Sequence, residues 1–573
     1  MSTTGSSAEL KPEQRPVFLT GITSLPHELL AQIFSLYVAD YLLGLTDVSG
    51  FSPSHPYRWT RITHVCRRWR NIALHMPLLW THVVFSAAWH VHAIPEMIAR
   101  AGDRALSLEA KEVRYLQGSH RSRAIKPIFQ NIPQACSLRL QIPLDTFQTL
   151  VDDIETPHAI HLHAMILYNP SNHNSLPHSV QFAWDLPNLQ ELILSKFTLD
   201  WTSPLMQRRQ LTKLVVNDPG VLQSVADVSA ALRELSELRY LQLVFLRRGI
   251  SLAPTRSAER DTKFPHLTFL HLHMAACDMV YLLESFALPV TTVAELEARW
   301  DSEGSSPTSD QQLPLRVAEI LRGTLAGGTP SIIPIRGLSI QQYHAICDEL
   351  LLDFYTAPIL VEDHLTTWQP TPLGASPKTA PQIRFSLPAY IIEDTIDLFD
   401  NYLTHFSLTE VETVHLSNDI SGPFQYVLKN MPSVSALRFY DKTSPSTREE
   451  DVLEVLSAQA GDNSGDSDTV TWLAPQLDTL VLRNISRSSS AWIGLADVLA
   501  SRSQCGFPVR SVDIRFAAGL KRKDVAEMRE RLGSVGCEIR WDERERPEQI
   551  KEELYIRPDP SGLFLDGTLL RLR

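Results

Sequence analysis

"LTFLHLHM", Leu267 to Met274, places apolar residues at Leu267, Leu270 and Leu272 with histidines between and after the last two. Successive side chains of a strand point to opposite faces, so Leu270 and Leu272 turn inward together while His271 and His273 fall on the open face. The same phrase, apolar-x-x-apolar-x-apolar, returns as "LQELIL" from Leu189, "LTKLVV" from Leu211, "LRYLQL" from Leu238, "IRGLSI" from Ile335, "VETVHL" from Val411, "VSALRF" from Val434, "LDTLVL" from Leu477 and "VRSVDI" from Val509. Phrases of this kind occur in the buried strands of many α/β proteins. Here the lead-ins "LPNL", "FPHL" and "MPSV" recur with them, which favours a repeated unit.

The starts at Leu189, Leu211, Leu238 and Leu267 lie 22, 27 and 29 residues apart, and Val411 to Val434 adds 23. This spacing is similar to that of leucine-rich repeats, in which each unit supplies one strand and its return. Later gaps are wider and irregular. "RALSLEA" from Arg104 and "CSLRLQI" from Cys136 read as degenerate early copies.

The 573 residues carry a net charge of −12, which opposes attraction of the whole surface to DNA, RNA or anionic lipid. Six scattered cysteines without a C-x-x-C pair read as reduced intracellular thiols. No apolar run of about 18 residues offers a membrane span. A cytoplasmic or nuclear protein is expected, with neither nucleic acid nor membrane as partner.

Between Ile22 and Trp80 the period changes to a helical one. Leu29, Ile33 and Tyr37 repeat at four; Ile62, Val65, Cys66, Trp69, Ile72 and Ala73 repeat at three and four. "VCRRWRNIALHMPLLW", Val65 to Trp80, sets arginines beside a Trp-rich apolar face too large for a helical hairpin to bury alone. Such a face suits protein docking, with the arginines solvated at its side.

The phrases "ITSLPHELLAQIFSLYV" and "THVCRRWRNIALHMPLLW" resemble the F-box, and especially its F-box-like variant. They match its Leu-Pro-x-Glu-(Leu/Ile) opening, its Ile-Phe, its Val-Cys-(Arg/Lys)-x-Trp-(Arg/Lys)-x-(Ile/Leu)-Ala core and its Pro-x-Leu-Trp ending. One departure is the stretch of about 20 residues between Tyr37 and Tyr57, where the family uses a short connection. The resemblance implies docking on the Skp-type adaptor of SCF ubiquitin ligases, and through it on cullin. Leu25, Pro26, Leu29, Ile33, Phe34, Val65, Cys66, Trp69, Leu79 and Trp80 would form or support that surface, about half of them by direct contact.

The expected architecture is α + α/β: a small N-terminal helical F-box, then an irregular leucine-rich-repeat-like solenoid with a curved parallel sheet and helices on its convex side. A disordered tail would cover residues 1–16 and the F-box domain 17–85, with an insertion at about 38–57. The repeat region would span 86–541, with loop insertions at about 301–314, 366–382 and 458–469, and a charged segment 542–573 would follow.

No P-loop, G-x-S-x-G or H-E-x-x-H motif is present, and no enzymatic activity, cofactor or metal is expected. The "HLH" pairs at His161–His163 and His271–His273 could offer two zinc ligands on one strand face, but no further ligands are indicated. The open-face positions are Gln242 and Val244, His271 and His273, His415 and Ser417, Arg438 and Tyr440, Val481 and Arg483, and Asp513 and Arg515. Of these Gln242, His271, His273, His415, Arg438, Tyr440, Arg483 and Arg515 are the candidate contacts to an unidentified protein target. The expected function is a substrate receptor of an SCF-type ligase. The alternatives are an interaction scaffold without ubiquitination and an enzyme hidden in the C-terminal region.

Overall fold

A computed structural model describes residues 25–544 except 44–55, 87–91, 112–118, 153–157, 171–178, 181–183, 220–223, 246–261, 290, 300–315, 318, 321–334, 344–348, 357–382, 389–402, 404–405, 418–427, 441–455, 457–471, 484–487, 516 and 518. The tail 1–16 and the three expected insertions lie outside the described residues, as does the C-terminal segment beyond Arg544.

The chain opens with helices. α1 spans His27–Leu43, a 3-10 helix spans Arg58–His64, α2 spans Arg67–Leu74, and a second 3-10 helix spans Pro77–Trp80. α1 continues to Leu43, so the insertion expected from about residue 38 is helical at its start.

From His82 onward, strands build one 17-stranded sheet. They are β1 (His82–Phe85), β2 (Leu106–Lys111), β3 (Ala135–Gln141), β4 (Ala164–Tyr168), β5 (Glu191–Ser195) and β6 (Lys213–Asn217). β7 (Tyr240–Val244), β8 (Phe269–Ala275) and β9 (Val293–Arg299) follow. β1 to β9 pair in chain order, every neighbour parallel. Parallel neighbours need a crossover of a dozen or more residues, and the spacing of the phrases supplies it.

Several crossovers hold helices: α3 (Ala93–Ala101), α4 (Ser119–Gln130), α5 (Leu144–Asp152), α6 (Val225–Arg233) and α7 (Ala276–Ser285). Their apolar sides join the inward strand positions in one continuous core. Phe147 sits at the centre of an aromatic cluster, within 5.4–6.0 Å of Phe129, Trp184 and Phe197 between ring centroids.

The array then breaks. β10 (Gly337–Tyr343), β11 (Glu349–Tyr355) and β12 (Ile383–Pro388) form an antiparallel set in which β12 lies beside β9 and β10 lies beside β13 (Thr413–Ser417). Parallel pairing in chain order resumes through β14 (Ala436–Tyr440), β15 (Thr479–Arg483), β16 (Ser511–Asp513) and β17 (Glu538–Arg540). Among the last of these, α8 (Ser489–Gln504) and α9 (Arg522–Gly533) fill the crossovers. The fold is thus mixed α/β, with a large parallel-dominated sheet behind an N-terminal helical region.

The three apolar positions of all nine phrases are buried. The lead-ins share one device: Leu189, Leu238, Leu267, Val411, Val434 and Leu477 each donate their N–H to the carbonyl three residues back. This is the bond of a β-turn. Leu162 makes the same bond to Ala159, and with Met165 and Leu167 it forms a further buried copy, "LHAMIL", that the sequence reading missed. The expected strand pair His161–His163 is therefore corrected. Both precede β4, in its turn and lead-in, so they share no strand face.

The helical region abuts the sheet at β1, whose one flank pairs with β2. The Tyr57 hydroxyl donates to the Val84 carbonyl at 2.5 Å and accepts from the Val84 N–H at 2.6 Å, meeting the backbone of this end strand. Beside it His82 lies 3.2 Å from the Ser107 hydroxyl, and burial together with nearby Arg139 pushes its pKa from 6.5 down to about 4. The folded state thus resists the proton that the unfolded chain accepts below 6.5. Its contribution to stability is complete above that pH and falls away as pH drops towards 4. Urea unfolding midpoints should decline between pH 7 and pH 5, and His82→Gln should flatten that decline; an unchanged slope in the variant would assign it elsewhere.

Candidate docking site

α1 divides its apolar residues between two faces. Leu30, Phe34 and Val38, at i, i+4 and i+8, are buried. One residue earlier in each turn, Leu29, Ile33 and Tyr37 are exposed, and Leu36 is 63% exposed. Exposed as well are Val65 (58%), ahead of α2, and Leu78 (66%), on the second 3-10 helix. These six are nearly all the large exposed hydrophobic side chains among the described residues. An apolar surface gathered on one small region marks a contact site, because each side chain gains about 1.5–3 kcal/mol when covered.

Beneath that surface the region is held by aromatic packing. Phe34 and Trp69 lie 5.0 Å apart, and Trp59 meets Trp80 edge-on at 5.1 Å. Trp80 donates its indole N–H to the Ala73 carbonyl at 2.9 Å, and the Arg100 guanidinium from α3 lies 4.4 Å over its ring. Arg68 donates to the Leu25 carbonyl, tying α2 to the start of α1.

The ten residues singled out by sequence therefore separate. Pro26, Leu29, Ile33 and Val65 are exposed; Leu25, Cys66 and Trp69 are half-buried; Phe34, Leu79 and Trp80 are buried. Cys66 does not belong to a helix face. Its backbone is extended, and its Sγ accepts the Trp69 N–H at 3.4 Å as the N-cap of α2. Sequence reasoning missed Leu36, Tyr37 and Leu78. Tyr37 shares the period of Leu29 and Ile33, but only the burial of Leu30, Phe34 and Val38 shows that this face, with Leu36 beside it, turns outward.

The sheet face opposite the core holds the other candidates. On β7 to β9, Gln242, His271 and His273 are half-buried, as is Val244. Gln242 donates to Asn217 at 3.1 Å, and His273 lies 3.0 Å from the Glu297 carboxylate, with His271 at 3.7 Å from it. His415 is half-buried. Arg438, Val481 and Asp513 are buried, which corrects their reading as open positions: alternation fixes the side of the sheet, not what lies over it. Asp513 receives Arg515 at 2.7 Å, leaving that arginine partly exposed. The side chains of Ser417, Tyr440 and Arg483 lie outside the described residues.

Across β9, β12 and β11 the same face carries buried charge. The Arg384 guanidinium donates to both Asp353 oxygens, at 2.7 and 3.0 Å, with Glu295 at 3.8 Å. Burial works against the charge of Arg384, but the Asp353 carboxylate and its hydrogen bonds outweigh it and raise the pKa.

Among the described residues no group of three or more His, Cys, Asp or Glu could hold a metal ion, and no helix is long and apolar enough to cross a membrane. No curated protein matches the chain. Residues 22–86, the region that carries the exposed apolar surface, match the F-box-like family.

Proposed function

We propose that this chain is the substrate-recognition subunit of an SCF-type ubiquitin ligase, docking on a Skp-type adaptor through residues 22–86 and holding a protein target on the sheet that follows. The sheet is on this reading a leucine-rich-repeat-like solenoid, with the half-buried face of β7 to β9 as the target surface. The chain makes and breaks no bond itself. It raises the local concentration of target lysines near a charged ubiquitin carrier.

The observation that carries the reading is the exposed surface of Leu29, Ile33, Leu36, Tyr37, Val65 and Leu78 inside the F-box-like match. Leu36→Asp with Leu78→Asp is expected to reduce capture of a purified Skp-type adaptor by about 100-fold or more, because each change removes an apolar contact and leaves a carboxylate to desolvate. Both positions face solvent in the free protein, so its Tm should hold. Undiminished capture would place docking elsewhere. A wild-type chain that captures adaptor and cullin yet supports no ubiquitin transfer to any bound protein would favour the scaffold reading.

A further inference from the structure

Residues 22–86 contain five arginines, Arg58, Arg61, Arg67, Arg68 and Arg70, against three carboxylates, Glu28, Asp40 and Asp47, in a chain whose net charge is −12. Arg68 turns inward to the Leu25 carbonyl. Arg58, Arg61, Arg67 and Arg70 are exposed, and among the described residues none of the four forms an ion pair. Their spacing sets them in two pairs. Arg58 and Arg61 stand at i, i+3 on a 3-10 helix, where such residues eclipse, and Arg67 and Arg70 stand at i, i+3 on α2. Val65 lies between the two pairs in the chain and is exposed, and burial raises the pKa of the Tyr41 phenol on α1 while nearby Arg58 works against that rise.

For the free protein this arrangement is unfavourable. Like charges at such spacing repel, and Arg67 and Arg70 occupy the start of α2, where the aligned peptide dipoles already leave partial positive charge and no acidic residue compensates. The row becomes favourable only opposite negative charge.

We infer that the partner covering Leu29, Ile33, Leu36, Tyr37, Val65 and Leu78 is a protein with an acidic rim, which Arg58, Arg61, Arg67 and Arg70 attract and orient. This rests on the adaptor reading above and adds the chemistry of the adaptor's surface. Apolar contact holds the complex, and the arginine row speeds its formation. Because the rest of the chain is strongly negative, an acidic partner is steered to this end and turned away from the sheet.

The kinetics of adaptor binding by the full chain separate the two roles. Association of purified Skp-type adaptor is expected to slow about 10-fold between roughly 0.05 and 0.5 M salt. The variant Arg58→Gln, Arg61→Gln, Arg67→Gln, Arg70→Gln should associate about 10-fold more slowly at low salt and lose most of that salt dependence, with dissociation changed less than about 3-fold. Lysine at all four positions keeps the charge and should keep the rate, and circular dichroism of both variants checks folding. A glutamine variant that associates at the wild-type rate with the same salt slope overturns the acidic-rim inference while leaving adaptor docking intact. Absence of capture at any salt overturns the adaptor reading and this inference with it. Phosphatidylserine vesicles that bind the wild type and lose the glutamine variant would assign the row to a lipid surface instead.

Discussion

Asp353→Ala is expected to destabilise the protein by about 3–5 kcal/mol, measured by chemical unfolding. Asp353 and Arg384 face each other directly across β11 and β12, both buried, with two hydrogen bonds between them. Removing the carboxylate leaves a guanidinium in the interior with, among the described residues, Glu295 alone, 3.8 Å away, to answer it. The loss reflects the stranded charge more than the value of the pair. Asp353→Leu with Arg384→Met removes both charges at similar volume and should therefore lie within about 2 kcal/mol of wild type. A single variant as stable as wild type would mean that water reaches Arg384.

Trp80→Ala is expected to cost about 3–5 kcal/mol, the range for truncating a large buried aromatic. It forfeits the edge-on contact with Trp59, the bond to the Ala73 carbonyl and the platform under Arg100. These contacts join α2, both 3-10 helices and α3, so limited proteolysis should open the chain between residues 25 and 86 before the sheet yields. Proteolysis that begins in the sheet instead would show that Trp80 does not join these elements. Trp69→Ala with Leu25→Ala, a variant at two of the residues that the F-box motif implies for docking, has a related defect. Trp69 packs on Phe34 and Leu25 on the core, so that variant would report folding as much as docking.

Strand identity was legible because burial on one side of a strand imposes a period of two, and Leu241, Leu243, Leu270 and Leu272 carry it plainly. The turn ahead of each strand was visible only as a recurring phrase; its bond, as from Leu267 to the Phe264 carbonyl, explains the recurrence. The antiparallel set β10 to β12 was not legible. Its phrase "IRGLSI" has the same inward pattern as the others, and direction and neighbour are tertiary choices that periodicity does not encode. In the helical region, motif matching located the site but could not divide Phe34, which holds α1 to α2, from Leu29 and Ile33, which face outward. Both kinds of residue are apolar and recur at helical spacing, so only the packed structure separates them.

The misplaced strand order has a consequence for synthesis on the ribosome. Through β9 each new strand finds its partner already made, so the sheet can grow as the chain emerges. The next neighbour of β9 is β12, and Arg299 and Ile383 are 84 residues apart. At about 5–20 residues per second, the growing edge waits roughly 4–17 s with its peptide groups unmatched. During that interval a nascent chain of this protein is exposed to pairing with a wrong strand, and a chaperone that covers the edge would protect it.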